Sequence, residues 1–292
     1  MTLPDKYYQM ISTVTNDAQL KMELVQKDFP IPKPHEVVIR VEASPINPSD
    51  QGVMFGWSNM ANAYHEGAGP KRVLTAPISD QGMGIMKARI GQNLPVGNEG
   101  AGTVVVTGNS PEAKALMGKT VSALSGSMYA EYCCIPAMTC LPLLNGNNAK
   151  DGASSFVNPL TALSMVETMK LEGHQALVHT AAASNLGQML NKICSADKIA
   201  LVNIVRREEQ ASILRGLGAK YICNSSSESF MSDLTNAIYE TGATLAFDAT
   251  GGGNLASQIL TAMEGAAART PGAYSIYGSI KHKQVYLYGG LD

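Results

Sequence analysis

The sequence predicts a two-domain α/β protein, a β-rich half followed by a doubly wound parallel sheet. Three observations lead there. Its 292 residues, at roughly 100 to 200 per domain, make room for two domains, each able to bury a core. Between Val37 and Leu143 run short β-rich segments, EVVIRVEAS, AGTVVVTG, KTVSALSG and YAEYCCI, separated by Gly, Pro and Asn punctuation. From about Asp151 onward, apolar strands alternate with amphipathic helices. That texture implies right-handed βαβ units and a parallel sheet covered on both faces. The domains are therefore expected at 1–150 and 151–292.

Within the first half, the stretch between Gly56 and Gly97 is rich in Met, Ala, Gly and Asn and lacks a strand period. An inserted functional loop or helical flap over about 57–96 is expected, because the stretch is too long for an ordinary connection. In the second half, VNPLTALSMVETMK reads as a helix, ALVHTA as a buried strand, ASNLGQMLNKICSA as a helix and KIALVNIV as a strand. EEQASILRGLG is a helix closed by Gly216 and Gly218, YICN a strand and SFMSDLTNAIYETG a helix. ATLAFDATGGG, LASQILTAMEGAA and QVYLYGG complete the series as strand, helix and strand.

Composition narrows the partners. With 45% hydrophobic and 16% charged residues, and a net charge of 22 − 24 = −2, the chain is neither disordered nor collagen-like. No run of Lys or Arg provides the electrostatic footprint of a nucleic-acid binder. No apolar stretch approaches the ~20 residues of a membrane span, and MTLPDKYYQM lacks the apolar core of a signal peptide. Five cysteines without a CxxC spacing argue against a disulfide framework. A cytoplasmic protein acting on a small molecule is the expectation.

The chemistry concentrates at the first turn of the α/β half. The strand ending at His179 leads through Ala181, Ala182, Ala183, Ser184, Asn185, Leu186 and Gly187 into a helix. In a dinucleotide-binding turn, small residues let the backbone approach a pyrophosphate while the helix offers amides and a positive dipole end. Here the G-x-G-x-x-G positions fall on Ala182, Ser184 and Gly187, a degraded fingerprint. At the end of the next strand a ribose-binding acid would mark NAD. Arg206 and Arg207 stand there instead, which points to NADPH, with Ser225 contributing from the neighbouring turn. His179, on a buried strand, reads as a packed core residue.

The order SPINPSD, GNEGAG, NPLTA and LVHTAAASNLGQ resembles the medium-chain dehydrogenase/reductase superfamily. Within it the chain is similar to the zinc-free quinone oxidoreductases and the mitochondrial-type 2-enoyl thioester reductases. The resemblance implies a GroES-like catalytic domain before a Rossmann-type dinucleotide-binding domain. Zinc-dependent members use a Cys near the SPINPSD position and a His in GHE. Ser44 to Asp50 holds no Cys and GHE reads Gly97-Asn98-Glu99, so no metal is expected.

The resemblance also implies hydride transfer from NADPH to a quinone or an α,β-unsaturated carbonyl acceptor. Asn47 is implied near nicotinamide and substrate, with Asn98 and Glu99 holding the loop beneath. Asn158, Thr161, Thr250, Gly251, Tyr288 and Gly289 are implied to line the cofactor. Enoyl reductases carry a Tyr shortly after the INPSD segment, where this chain has Ser58. Tyr64, on the insert, and Ser58 with a water are the candidate proton donors. A dimer is what the resemblance implies, although the superfamily usually continues past the QVYLYGG strand while this chain ends at Leu291-Asp292. A noncatalytic NADPH-binding protein, or an inactive truncated member, is the alternative.

Overall fold

Strand β1 (Lys6–Val14) largely alternates buried and partly exposed side chains, the period of a half-buried strand. It pairs antiparallel with β2 (Gln19–Asp28), Val14 opposite Leu20. After β3 (Glu36–Ala43), Pro48 opens the short helix α1 (Pro48–Met54), its fixed φ suiting a first helical turn. A computed structural model describes residues 2–269 and 276–290. Its two units are Met1–Val157 and Asn158–Asp292, so the break falls seven residues after the expected 150/151 boundary.

The segment expected to be a loop or flap is built into the first unit. It supplies β4 (Tyr64–Glu66), β5 (Val73–Pro77), α2 (Asp80–Ile85) and β6 (Asn93–Pro95). The first sheet runs in the order β4-β5-β2-β1-β6. Strands of three to five residues are too short to show a period-2 signal, so the sequence concealed them. Arg89 ties the segment down: its guanidinium donates to the carbonyls of Gly52 and Val53 at 3.2 and 2.6 Å and to Ser12 Oγ at 3.2 Å. A cation at the end of α1 thus adds to the bonds of its last carbonyls, Gly52 O also accepting the Gly56 amide at 3.1 Å.

A second sheet follows from β7 (Glu99–Thr107), α3 (Pro111–Lys114), β8 (Thr120–Leu124), β9 (Tyr132–Pro136) and β10 (Cys140–Pro142), before the short α4 (Ala149–Gly152). Its order is β10-β8-β7-β3-β9. Val37, Ile39, Val104, Val121 and Ile135 form its buried core.

The second unit begins with α5 (Val157–Leu171), whose first residue lies at the unit break, and continues β11 (Ala176–His179), α6 (Asn185–Ala196), β12 (Ala200–Val205), α7 (Glu208–Gly216), β13 (Tyr221–Asn224), α8 (Phe230–Thr241), β14 (Leu245–Asp248), α9 (Leu255–Ala268) and β15 (Gln284–Leu287). The strands are parallel, in the order β13-β12-β11-β14-β15. That is the 3-2-1-4-5 order of a Rossmann sheet. All four residues of β11 and of β14 are buried, as strands covered on both faces require. Leu177, Leu201 and Leu245 pack with α5 and α6, while Val178, Val202 and Ala246 pack with α8 and α9. The strand order reverses between β11 and β14, and open α/β sheets bind ligands outside the carboxyl ends of the strands at such a switch point. Leu291 and Asp292, on which the expectation of a missing return rests, lie outside the described residues.

Candidate functional site

Two groups of residues, one in each unit, carry the polar chemistry. In the first, Asn47 precedes α1 and is 3% exposed. Its backbone amide donates to Asp50 Oδ2 at 2.8 Å and its side-chain amide to Glu99 Oε1 at 2.9 Å. Glu99 and Asp50 are each 1% exposed, and buried carboxylates of this kind persist only where donors surround them. Glu99 Oε2 accepts the amides of Phe156 and Val157 at 2.8 and 3.0 Å. Asp50 Oδ1 accepts the amide of Asn98 at 2.8 Å, and Asn98 Nδ2 donates to Ser49 at 2.9 Å. The INPSD and GNE segments are thus one hydrogen-bonded body.

The phenol of Tyr129 donates to the Pro45 carbonyl at 2.7 Å. Burial, and then the neighbouring Asp50 carboxylate, push its pKa well above the usual phenol value. Tyr129 therefore acts as a clasp on the SPINPSD segment. Sequence reasoning missed it, since Pro45 is 84 residues away and no local motif links them.

The two candidate proton donors lie apart from these bonds. Ser58 donates to the Phe55 carbonyl at 2.7 Å within its own turn. Tyr64 lies on the edge strand β4, 53% exposed.

In the second unit, the turn after β11 holds Ala181 at φ +49°, a left-handed conformation that is uncommon for a residue with a Cβ. Ser184 then caps α6, its hydroxyl accepting the amide of Gly187 at 3.1 Å. The amides of Asn185 and Leu186 precede the first intrahelical bond, at the positive dipole end. At Gly187 a Cβ would lie 2.1 Å from the carbonyl oxygen of Ala182. Only glycine allows this helix to approach its strand so closely, the role of the third glycine in a dinucleotide turn.

Arg206 and Arg207 are exposed just beyond β12. Their backbone amides share Gln210 Oε1 at 3.0 and 3.2 Å. Ser225 sits alongside, its hydroxyl donating to the Val205 carbonyl at 3.2 Å. Asn158 and Thr161 fall in the opening turns of α5, half-buried.

At the switch point, Asp248 Oδ1 accepts from Thr180 Oγ1 at 2.7 Å and from the Thr250 amide at 2.9 Å. Gly251 has φ +69°, and a Cβ there would lie 2.1 Å from the carbonyl oxygen of Gly289. The 249–251 and 288–290 turns therefore meet backbone to backbone. His179 is fully buried, as a core histidine should be, and its Nε2 bonds Tyr288 Oη at 2.8 Å. Burial drives its pKa down to about 4, against a smaller opposing pull from Asp248. His179 Nδ1 and Asp248 Oδ2 are buried without partners among the described residues. Asp248 was legible as an acid closing an apolar strand, yet the sequence reading passed over it.

Among the described residues no group of three His, Cys, Asp or Glu side chains is placed to hold a metal ion. No helix among them is long and apolar enough to cross a membrane.

None of the protein-family models compared with the chain matches it. Mouse (Mus musculus) prostaglandin reductase-3 is 29% identical over 159 residues, 54% of this chain and 41% of that protein. The mouse mitochondrial enoyl-[acyl-carrier-protein] reductase is 28% identical over 167 residues, 52% of this chain and 43% of that protein. The match thus spans about two fifths of these curated relatives. A crystal structure from Mesorhizobium loti, described as an NADPH:quinone reductase, superposes with a TM-score of 0.71 at 28% identity, covering 100% of this chain and 76% of its own. Fold, strand order and relatives all point to the zinc-free medium-chain dehydrogenase/reductase superfamily, with a GroES-like unit followed by a Rossmann unit.

Proposed function

We propose that the chain is an NADPH-dependent oxidoreductase reducing a quinone or an α,β-unsaturated carbonyl compound. The observation that carries this reading is the pair Arg206 and Arg207. Both are exposed at the end of β12, with no carboxylate against either guanidinium among the described residues. A 2′-phosphate is the group such a pair suits, through charge-assisted bonds that an NADH ribose cannot make. The turn fits the rest of the nucleotide: Gly187 clears the backbone approach, and the first amides of α6 favour a pyrophosphate. When bound, the reduced nicotinamide supplies the hydride. Enoyl and quinone acceptors, which the names of two relatives include, share a carbonyl onto which negative charge spreads. A few oriented donors then suffice to stabilise it.

A second reading, a noncatalytic NADPH-binding protein, draws on one observation. Neither Ser58, which donates within its own turn, nor Tyr64, on an edge strand, is hydrogen-bonded to the Asn47 network. Stereospecific, acceptor-dependent loss of hydride from NADPH separates the two. Turnover supports the reductase; binding without turnover supports the second reading.

A further inference from the structure

The Rossmann unit carries a cavity of about 280 Å³ at the amino ends of β12 and β13, opposite the cofactor-type turns. It opens where α6 and α7 both terminate. Its apolar side is formed by Ile199, Leu201 and Leu217, and two lysines, Lys198 and Lys220, line it as well.

Lys198 is an unusual residue for its place. Helix α6 closes in a Schellman arrangement, the amide of Ile199 bonding the Cys194 carbonyl at 2.8 Å and that of Lys198 bonding the Ser195 carbonyl at 3.4 Å. The residue in the left-handed conformation is Lys198, at φ +57°. Three other helices of the unit close on glycine there: α5 at Gly173 (φ +77°), α7 at Gly218 (φ +83°) and α8 at Gly242 (φ +68°). A lysine in that position is strained where glycine is not. Compensation of the helix dipole does not explain it, because any lysine of the last turn supplies that without a left-handed backbone. An outlier of this kind points to a role for its side chain.

Lys198 is exposed and is among the residues lining the cavity, and its ammonium has no hydrogen-bond or ion-pair partner among the described residues. Lys220 lies across the same cavity, held by a 2.9 Å bond to Tyr221 Oη and stacked 4.7 Å over that ring. The two cations more than offset the partial negative charges of the two helix ends, each about half a charge.

We propose that this cavity binds a small amphipathic carboxylate, its tail against Ile199, Leu201 and Leu217 and its carboxylate between Lys198 and Lys220. An inorganic anion would leave the apolar wall uncovered, and a hydrocarbon would leave Lys198 without a partner. The volume is just below that of drug-sized ligand pockets, which suits a medium-length acyl chain.

The test is calorimetric titration of the full chain with sodium octanoate, octylamine and inorganic phosphate, without any nicotinamide nucleotide, so that the outcome is independent of the proposed cofactor. Saturable one-to-one binding of octanoate, at least tenfold tighter than octylamine or phosphate, is expected. Lys198→Gly should raise the melting temperature, by relieving the left-handed strain, and weaken octanoate. Combined with Lys220→Ala, it should weaken octanoate about tenfold, the loss expected of two exposed charge pairs. Ala219→Phe, which fills the cavity, should abolish binding. Absence of saturable octanoate binding, equal binding of octylamine, or unchanged affinity in the double variant overturns the proposal.

Discussion

Glu99 and Asn47, 52 residues apart, are joined by a buried 2.9 Å hydrogen bond, and the same carboxylate holds the amides of Phe156 and Val157. One acid thus fixes the GNE segment to the INPSD segment and to Phe156 and Val157 at the end of the first unit. Glu99→Ala should cost about 3 kcal/mol, since it leaves several buried donors unsatisfied. Asn47→Ala should cost about 1 kcal/mol. Urea denaturation measures both. A loss for Glu99→Ala below about 0.5 kcal/mol, the range of ordinary surface substitutions, would remove the latch from the account.

Gly187→Ala should destabilise the protein by about 2 kcal/mol, because its Cβ would sit 2.1 Å from the Ala182 carbonyl oxygen and force helix from strand. Nucleotide binding should fall with it. Thermal melting and fluorescence titration of NADPH read the two effects. A variant as stable as the parent would show that the close approach at Gly187 is not needed.

The His179–Tyr288 pair makes a pH prediction. Folded His179 has its pKa lowered to about 4, against a usual value of 6.5. Between these values the unfolded chain binds a proton that the folded chain does not, so stability is full above pH 6.5 and falls as pH drops toward 4. Comparing urea unfolding at pH 7 and pH 4.5, the loss should be smaller in His179→Gln by about 2–3 kcal/mol, at 1.36 kcal/mol per pH unit. Other groups titrate in both proteins and cancel in the difference. Equal losses would mean that His179 is not held neutral by burial.

Much of this was legible in the sequence, for physical reasons that differ by region. Most of the described helices and strands between Val157 and Leu287 were marked by an apolar run or a helical period, and Ala181 to Ser184 with Gly187 form the strand-to-helix turn that the sequence predicts. Nothing local marked Tyr129 as the partner of Pro45 or Tyr288 as the partner of His179, because those contacts join residues 84 and 109 positions apart. The strands at Tyr64–Glu66 and Val73–Pro77 were hidden by length: three and five residues cannot show a period. Lys198 was hidden for another reason. Its left-handed backbone follows from the Schellman closure of α6, a position where sequence statistics favour glycine.

Replacing both Arg206 and Arg207 by Ala should weaken NADPH by at least about 100-fold, from loss of charge-assisted bonds worth roughly 1.5–3 kcal/mol each, and change NADH less than twofold. Parallel titrations of the two nucleotides decide it. Equal weakening of both would detach the arginines from the 2′-phosphate.

The most direct measurement follows nicotinamide fluorescence while the purified chain is titrated with NADPH and with NADH, then adds quinones and enones to the bound complex. The account predicts NADPH binding well ahead of NADH, and oxidation of NADPH only when an acceptor is present. Failure to bind either nucleotide, or binding with no oxidation by any acceptor of these classes, would contradict the assignment as an NADPH-dependent reductase.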